Sequence, residues 1–325
     1  MPADRTPSIA RELQPSPAHY AFDLERTLTS VVALRSHVPE DAFTAETLGT
    51  ERAGHGVQIA DNGLILTIGY LIVEAETIWT RTHDGRVVQG HPLAYDPVSG
   101  LGLVQALGTT GIPSCAIGRS SEVAVGDRIV TAGVGGRAGA VAAHVVARQE
   151  FAGYWEYLLD DAIFTAPAHP NWGGTAVFDD EGALIGIGSL QLETPRPNAT
   201  PQHLNMVVPI DLLAPVRDEL VRHGRRDGPA RPWLGLYAAD IDEKVVVAGT
   251  SDDGPAEQAG LQGGDVILAV AGRNIRGLGE LWRAVWALGG AGIDVPMLVF
   301  RDGETFERRI RSIDRSIFLR NRVLH

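Results

Sequence analysis

Hydrophobic residues occur in short runs separated by turn residues over most of the chain. Across residues 30–213, runs of Val, Ile, Leu and Thr alternate with Gly, Asp-Gly or Asn-Gly, as in 63–68 and 183–188. Short apolar runs bounded by turn residues are typical of β-sandwiches and β-barrels. Helical periodicity is confined mainly to 20–32 and 209–223. Strands and helices therefore do not alternate, which argues against a doubly wound parallel sheet.

A change of pattern divides the chain into two domains. Residues 222–232 are dense in Arg, Gly and Pro and carry no apolar pattern, which is typical of a solvated linker. Mixed strand and helix patterns follow, and they end in a hairpin that turns at Asp302-Gly303. We predict an N-terminal segment 1–29, a β-domain 30–221, a linker 222–232, a small α+β domain 233–315 and a C-terminal tail 316–325.

Composition and charge exclude several functional classes. The 325 residues include 28 Lys and Arg against 40 Asp and Glu, and the net charge of −12 repels phosphate backbones, so nucleic acid is not an expected partner. The single cysteine, Cys115, excludes an internal disulfide framework and a multi-cysteine metal site. The ten His are dispersed, so we expect neither a metal site nor a cofactor.

No stretch offers the roughly 18 uninterrupted apolar residues that a membrane span needs. The segment 1–17 has neither an apolar core nor a cleavage signature, so a cytoplasmic location is expected. A misassigned start codon would make the periplasm the alternative.

Motifs in the second domain closely resemble the PDZ domain of bacterial HtrA-type proteases. They are Arg-Pro-Trp-Leu-Gly-Leu at 231–236, Gly-Pro-Ala-Glu-Gln-Ala-Gly-Leu at 254–261, Gly-Asp-Val-Ile-Leu-Ala-Val at 264–270 and Phe-Arg-Asp-Gly at 300–303. The resemblance implies a groove in which backbone N–H groups bind a peptide's C-terminal carboxylate while the peptide pairs with a sheet edge. The groove residues it implies are Trp233, Leu234, Gly235, Leu236, Leu281 and Val285. The alternative is that Trp233 and Leu236 only fill the core.

The first domain resembles the protease barrel of the same family. The matching segments, in the family's order, are Gly54–Val57, Asp61–Thr67, Val125–Asp127, Gly182–Ile187 and Met206–Ile210. The fold that the two resemblances imply is mainly β: a trypsin-like double β-barrel followed by a small α+β PDZ domain.

The positions that the resemblance assigns to the catalytic triad carry other residues. Tyr70 stands at the general base, and a phenol with a pKa near ~10 does not act as a base at neutral pH. Gly100 stands at the orienting Asp and has no side chain, and Trp172 replaces the nucleophilic Ser with an indole. Pro170 stands where the oxyanion hole takes a second N–H and has none to give. We therefore predict that the chain is not an enzyme.

Three other features were weighed as functional sites. A migrated catalytic arrangement would use Asp96, Ser99, His91 and His169, although solvated loop residues are the simpler interpretation. The glycine-rich segment 133–138 mimics a dinucleotide-binding loop, but 140–148 lacks helical periodicity and matches a barrel strand. The aromatic cluster at 154–157 is interpreted as a surface loop packed on itself, with ligand contact as the alternative.

These observations predict a non-catalytic serine protease homologue. It would bind protein C-termini through its PDZ domain as a scaffold or adaptor in protein quality control. The resemblance also implies self-association, as a trimer, or association with active relatives, with Tyr20 and Phe22 as apolar residues ahead of the first strand. The alternatives are a serine-type endopeptidase with a rearranged active site and a degenerate product without selected activity. The intact PDZ pattern argues against the latter.

Overall fold

The computed structural model describes residues 9–194 and 201–320, and these form two compact units. The first unit contains 9–149 and 161–226 without 195–200, and the second contains 150–160 and 227–320. The second unit is thus built from two separate stretches of chain. The short stretch, 150–160, lies inside the range that the sequence assigns to the first domain.

The first unit contains two closed six-stranded barrels. In the first barrel the strand order is β1-β2-β3-β6-β5-β4, and all six neighbouring pairs are antiparallel. Its strands are β1 Val31–His37, β2 Glu51–Ala60, β3 Leu64–Ile68, β4 Thr77–Arg81, β5 Val87–Tyr95 and β6 Leu101–Ala106. All five residues of β3 are buried. In β5, buried and part-exposed residues alternate from Gly90 to Tyr95, because one side of the strand faces solvent.

The second barrel repeats this plan with the order β10-β11-β12-β9-β8-β7. Its strands are β7 Arg128–Ala132, β8 Ala140–Gly153, β9 Tyr157–Ala166, β10 Ala176–Phe178, β11 Leu184–Thr194 and β12 Gln202–Pro209. The glycine-rich segment before β8 forms a 3₁₀ turn, Gly136–Gly139, and leads into that strand. It therefore does not open the helix that a dinucleotide-binding loop requires.

Short helices flank the barrels and are shorter than the periodicity predicts. Helix α1, Leu24–Leu28, begins after Asp23, whose side chain accepts a hydrogen bond from the N–H of Arg26, and α2 spans Ala45–Leu48. The predicted helix 20–32 ends early because its β-branched end joins β1. The predicted helix 209–223 is split into a 3₁₀ turn, Ile210–Leu212, and α3, Arg217–His223, because Pro215 interrupts it.

The second unit is a small sheet with helices, as the sequence predicts. The strand order is β13-β14-β15-β17-β18, and β16 pairs with β15. The elements are β13 Leu236–Ile241, β14 Lys244–Thr250, α4 Pro255–Gln258, β15 Val266–Val270, β16 Arg273–Asn274, α5 Leu278–Trp286, β17 Asp294–Arg301 and β18 Glu304–Arg311. Helix α5 buries Leu281, Trp282 and Val285 against the sheet. Among the described helices none is both long and apolar enough to cross a membrane.

Candidate functional site

The turn after β3 positions Tyr70 beside Gly100. Gly69–Leu71 form a 3₁₀ turn, and the N–H of Gly69 donates to the carbonyl of Gly100 at 2.7 Å. Residue 69 must be glycine because a Cβ there would lie 2.1 Å from the ring of Tyr95. Gly100 has a φ of +81°, which favours glycine as well. Two of the three positions implied for the triad therefore lie on neighbouring backbone segments.

The hydroxyl of Tyr70 links these segments to the second barrel. It donates to the carbonyl of Ser189 at 2.7 Å, and the side chain of Trp172 forms a further hydrogen bond with it. Burial raises the pKa of Tyr70 above its ordinary value, while the hydrogen bond from Trp172 acts in the opposite direction. The phenol stays protonated at neutral pH, so it acts as a donor to the backbone and not as a base.

We expect Tyr70→Phe to destabilise the first unit by about 1 kcal/mol, because the carbonyl of Ser189 loses its hydroxyl donor. The free energy of unfolding in denaturant measures this loss. The control is Tyr154→Phe, since the Tyr154 side chain is 51% exposed. Equal stability of Tyr70→Phe and the wild-type protein would contradict the expectation.

The loop that carries Trp172 is held by its backbone. The carbonyl of Trp172 accepts from the N–H of Thr175 at 3.1 Å and from its hydroxyl at 2.9 Å. The carbonyl of Gly173 accepts from the N–H of His55 at 2.9 Å, and a Cβ on Gly173 would lie 2.9 Å from the Tyr70 hydroxyl. The structure thus brings positions 70, 100 and 172 together, and the half-buried indole lies beside the phenol.

His169 stabilises the same loop through both ring nitrogens. Its Nδ1 accepts from the N–H of Asn171 at 3.1 Å, and its Nε2 donates to the carbonyl of Gly139 at 3.0 Å. Burial lowers its pKa. The ring is therefore neutral, and neither nitrogen is left for proton transfer in this arrangement.

A second buried histidine, His55, which was not predicted as a site residue, lies beside it. The ring centroids of His55 and His169 are 5.8 Å apart. Burial lowers the pKa of His55 to about 3, with smaller contributions from His169 and Arg81. Its Nδ1 accepts from the N–H of Val134 at 3.2 Å, and within the described part of the chain its Nε2 has no partner. An imidazole with so low a pKa is a poor general base at neutral pH.

Asp96 and Ser99 form a buried turn instead of a catalytic pair. The Asp96 carboxylate accepts from the N–H and the hydroxyl of Ser99, and Arg226 donates to its two oxygens at 2.7 and 2.8 Å. Burial acts to raise the pKa of Asp96, but the hydrogen bonds from Arg226 and Ser99 outweigh it and the pKa is lowered. Asp96, Ser99 and His169 are all buried, so their interpretation as solvated loop residues is wrong. His91 lies on β5.

In the second unit, two backbone donors of the implied carboxylate-binding turn meet a side-chain acceptor. The carbonyl of Leu234 accepts from the N–H of Ala256 at 2.8 Å, and that of Gly235 accepts from the N–H of Ser251 at 2.8 Å. Gly235 has a φ of +68°, which this turn requires. The turn is fixed through its carbonyls, which leaves the N–H groups of Leu234 and Leu236 for an acceptor.

The side-chain carboxylate of Glu156 accepts these hydrogen bonds. Its Oε1 lies 3.1 Å from the nitrogen of Leu234 and 3.0 Å from that of Leu236, and its Oε2 lies 3.1 Å from the nitrogen of Leu234. Glu156 is part-exposed as a residue, but burial of the carboxyl raises its pKa to about 7. The N–H groups of Leu236 and Leu234 and the charge of Arg315 act in the opposite direction.

The other residues implied for the groove pack together beside the turn. Leu234, Leu236, Leu281 and Val285 are fully buried in one apolar cluster, which also contains Leu158. The Trp233 side chain is 8% exposed, and its ring centroid lies 5.2 Å from that of Phe318. The side chains of the turn therefore belong to the core, while its backbone N–H groups face the acceptor.

Each of the two units is similar to a known protein domain. Residues 54–187 match the trypsin-like peptidase domain, and residues 232–311 match the PDZ domain. The serine endoprotease DegS of Salmonella typhimurium is 26% identical over 280 residues, which cover 78% of this chain and 75% of that protein. A probable periplasmic serine endoprotease, DegP-like, of Ectopseudomonas mendocina is 27% identical over 267 residues, covering 77% of this chain and 54% of that protein.

The chain is a homologue of the HtrA proteases DegS and DegP. Solved structures share the fold of this HtrA homologue. The serine endoprotease of Yersinia pestis has a TM-score of 0.54 at 24% identity, covering 89% of this chain and 96% of that one. The HtrA-type protease AlgW with a decapeptide has a TM-score of 0.55 at 21% identity, covering 92% and 98%. The predicted fold class, mainly β with a trypsin-like body and a PDZ domain, is confirmed.

The prediction that this HtrA homologue is not an enzyme is contradicted by the comparisons. Its relatives are named serine endoproteases, which points to proteolytic activity. The prediction rested on the residues at 70, 100 and 172. Such residues exclude a reaction that needs those three side chains, but they do not exclude hydrolysis by others.

Two residues of the second unit that contact the groove were not predicted from the sequence. Glu156 stands within the aromatic cluster 154–157, and Trp282 stands within the amphipathic pattern of α5. Trp282 donates its indole N–H to the carbonyl of Gly153 at 3.0 Å. For Glu156 the sequence does contain a signal, because it lies in the aromatic cluster for which ligand contact was the alternative interpretation. Among the described residues no three metal-ligating side chains come together.

Proposed function

We propose that this HtrA homologue binds the C-termini of client proteins through its PDZ unit, as a scaffold or adaptor in protein quality control. One observation carries the proposal: the backbone N–H groups of Leu234 and Leu236, in the turn, hold a carboxyl group. A peptide's C-terminal carboxylate presents the same two acceptor oxygens as the ionised side chain of Glu156. The turn is therefore a receptor for carboxylates.

The sheet edge beside the turn supplies the second element of peptide recognition. The N–H of Ala238, on β13, donates to the carbonyl of Tyr154 at 3.0 Å, outside the pairing of β13 with β14. An extended peptide that adds to this edge gains main-chain hydrogen bonds while its end carboxylate lies on the turn. The apolar cluster around Leu281 and Val285 favours an apolar side chain at the peptide's end.

Fluorescence polarisation tests this proposal with a labelled peptide that has the sequence of residues 148–155 followed by one C-terminal leucine. We expect the form with a free C-terminal carboxylate to bind at least tenfold more tightly than the C-terminal amide, because the amide removes the charge that the two N–H groups stabilise. Both forms are titrated against the wild-type chain and against Glu156→Ala. If neither protein prefers the free carboxylate, the proposed function is wrong.

A second function, serine-type peptide hydrolysis at a rearranged site, is favoured by the names of the relatives. Hydrolysis here would need a nucleophile other than residue 172, because an indole has no nucleophilic oxygen. We expect casein turnover and fluorophosphonate labelling to be equal in the wild-type chain and in Trp172→Ala, with the label on a hydroxyl elsewhere. Absence of both turnover and label would overturn this second function.

We also propose self-association as a trimer, or association with active relatives, and a cytoplasmic location with the periplasm as the alternative. Phe22, one of the two residues considered for self-association, lies against Gly182, where an added Cβ would be 2.5 Å from its ring. That contact fits a residue that covers its own barrel. Light scattering of the purified chain measures its oligomeric number.

A further inference from the structure

The PDZ groove contacts a segment of its own unit, residues 150–160, which we call the latch. The latch comprises the end of β8, the turn after it and the start of β9. We propose that the latch is an internal ligand of the groove, and that a client C-terminus binds by displacing it. This inference rests on the proposed function, because it concerns access to the same carboxylate-binding turn.

The carboxylate of Glu156 takes the position that a peptide's end would need. Three nitrogen–oxygen distances of 3.0–3.1 Å join it to the N–H groups of Leu234 and Leu236, which is ordinary hydrogen-bond geometry. Glu156 itself has a φ of +61°, a left-handed conformation that is strained for a non-glycine residue. The hydrogen bonds at the turn offset this strain.

The latch backbone also follows the path of an added strand. Tyr154, whose carbonyl accepts from the N–H of Ala238, lies two residues before Glu156, whereas Ala238 lies two residues after Leu236. The two segments therefore run in opposite directions in a matched register. On the side of α5, the indole N–H of Trp282 donates to the carbonyl of Gly153. The latch thus uses the carboxylate position, the strand edge and a helix side chain at once.

The apolar part of the groove is filled as well. Leu158 is 9% exposed and belongs to the cluster that contains Leu234, Leu236, Leu281 and Val285. The rings of Trp155 and Tyr157 stack at a centroid distance of 5.7 Å with 8° between their planes. The turn is therefore stiffened by its own aromatic residues while a leucine of the latch joins the core.

Arg283 holds both ends of the latch. Its guanidinium pairs with Glu150 at 2.6 Å and also with Asp160, the first and the last latch residues. Exposed pairs of this kind contribute little energy individually, but two on one guanidinium fix the separation of the ends. The helix makes room for Glu150 because residue 279 is glycine, where a Cβ would lie 2.0 Å from the Glu150 carboxylate.

A bound latch reduces the apparent affinity for any external peptide. The apparent dissociation constant equals the intrinsic one divided by the fraction of molecules with an open groove. Since the latch is part of the same chain, its effective concentration is high and independent of protein concentration. The groove is therefore open only in a minority of molecules until a client C-terminus competes for the turn.

The test uses the labelled peptide that copies residues 148–155 and ends in leucine, with the full-length chain. Its main-chain carboxylate would replace that of Glu156, and its leucine would replace Leu158. We expect Glu156→Ala to bind this peptide at least tenfold more tightly than the wild-type chain, and Arg283→Ala to show a smaller gain. The matched control is Glu304→Ala, an exposed glutamate of β18 in the same unit, which should bind as the wild-type chain does.

Amide hydrogen exchange of the free proteins provides a measurement that does not depend on the peptide. We expect the N–H groups of Leu234 and Leu236 to exchange at least tenfold faster in Glu156→Ala than in the wild-type chain or in Glu304→Ala. Equal exchange rates in all three would overturn the latch.

The two measurements separate the latch from the proposed function. Binding of the free carboxylate form with the same affinity by the wild-type chain and Glu156→Ala would overturn the latch and leave the proposed function standing. If neither the wild-type chain nor any variant binds the peptide, the proposed function is wrong. Displacement of the latch by a client is then wrong as well, even if amide hydrogen exchange shows that the latch covers the turn.

Discussion

Gly174→Ala is expected to destabilise the first unit by about 4 kcal/mol or more, which places it among the rare, severe single substitutions. Gly174 has a φ of +76°, and the left-handed conformation alone costs an alanine about 1–2 kcal/mol. In addition, a Cβ there would lie 1.9 Å from the carbonyl oxygen of His55 and 2.7 Å from the Thr67 hydroxyl. Either the loop or β2 would have to move.

Neither segment can move without breaking other hydrogen bonds. The carbonyl of His55 accepts from the hydroxyl of Thr67 at 2.6 Å, and the N–H of His55 donates to the carbonyl of Gly173 at 2.9 Å. The N–H of Gly174 donates to the carbonyl of Gly188 at 2.9 Å. The loop that carries Trp172 is thus fixed between the two barrels by contacts that only a glycine allows.

Gly85→Ala is the control for this substitution. Gly85 is exposed, has a φ of +87°, and a Cβ there would meet no atom within 4 Å. Both substitutions place an alanine at a positive φ, but only the one at residue 174 adds a collision. Calorimetric unfolding of both variants should show a loss for Gly174→Ala that exceeds the loss for Gly85→Ala by roughly 2 kcal/mol or more. Equal losses would mean that the loop adjusts freely around residue 174.

The fold could be predicted from the sequence because its signals are local. Short apolar runs between turn residues predict strands, and family motifs spaced in the right order place those strands in two barrels and a PDZ sheet. The hairpin of β17 and β18 follows from Asp302-Gly303 in the same way. Helix lengths were overestimated where a β-branched run or Pro215 ended the helix.

The occupant of the groove could not be predicted, because its contacts join residues far apart in the sequence. Glu156 lies 78 positions before Leu234, and neither residue type nor periodicity marks the pair. The aromatic cluster around Glu156 drew attention, but stacking within the cluster explains Trp155 and Tyr157 without any ligand. Only the three-dimensional structure shows that the carboxylate between them lies on the turn.

Arg226 was misinterpreted for a similar reason. A segment rich in Arg, Gly and Pro is typical of a solvated linker, yet the guanidinium of Arg226 reaches a carboxylate 130 positions away. The partner, Asp96, has a side chain with 0% exposure, whereas that of Arg226 is 32% exposed. The segment predicted as a linker therefore contains an anchored residue, and the buried charge of Asp96 depends on it.

We expect Arg226→Ala to destabilise the first unit by roughly 3–5 kcal/mol, because it leaves a fully buried carboxylate without its cation. The hydrogen bonds from Ser99 remain, but they neutralise no charge. Denaturant unfolding measures the loss. Arg225→Ala is the control, since Arg225 is the exposed arginine next to it and should change the stability by less than about 0.5 kcal/mol.

The double variant Asp96→Asn with Arg226→Ala identifies the cause. If the loss comes from the unpaired charge, a neutral side chain of the same shape at position 96 removes most of it, and the double variant is more stable than Arg226→Ala alone. If the loss came instead from the missing stem of Arg226, the second substitution would restore nothing. If the losses of Asp96→Asn and Arg226→Ala simply add in the double variant, Arg226 stabilises the unit through packing. If the double variant regains stability relative to Arg226→Ala, Arg226 stabilises the unit by neutralising the buried charge of Asp96.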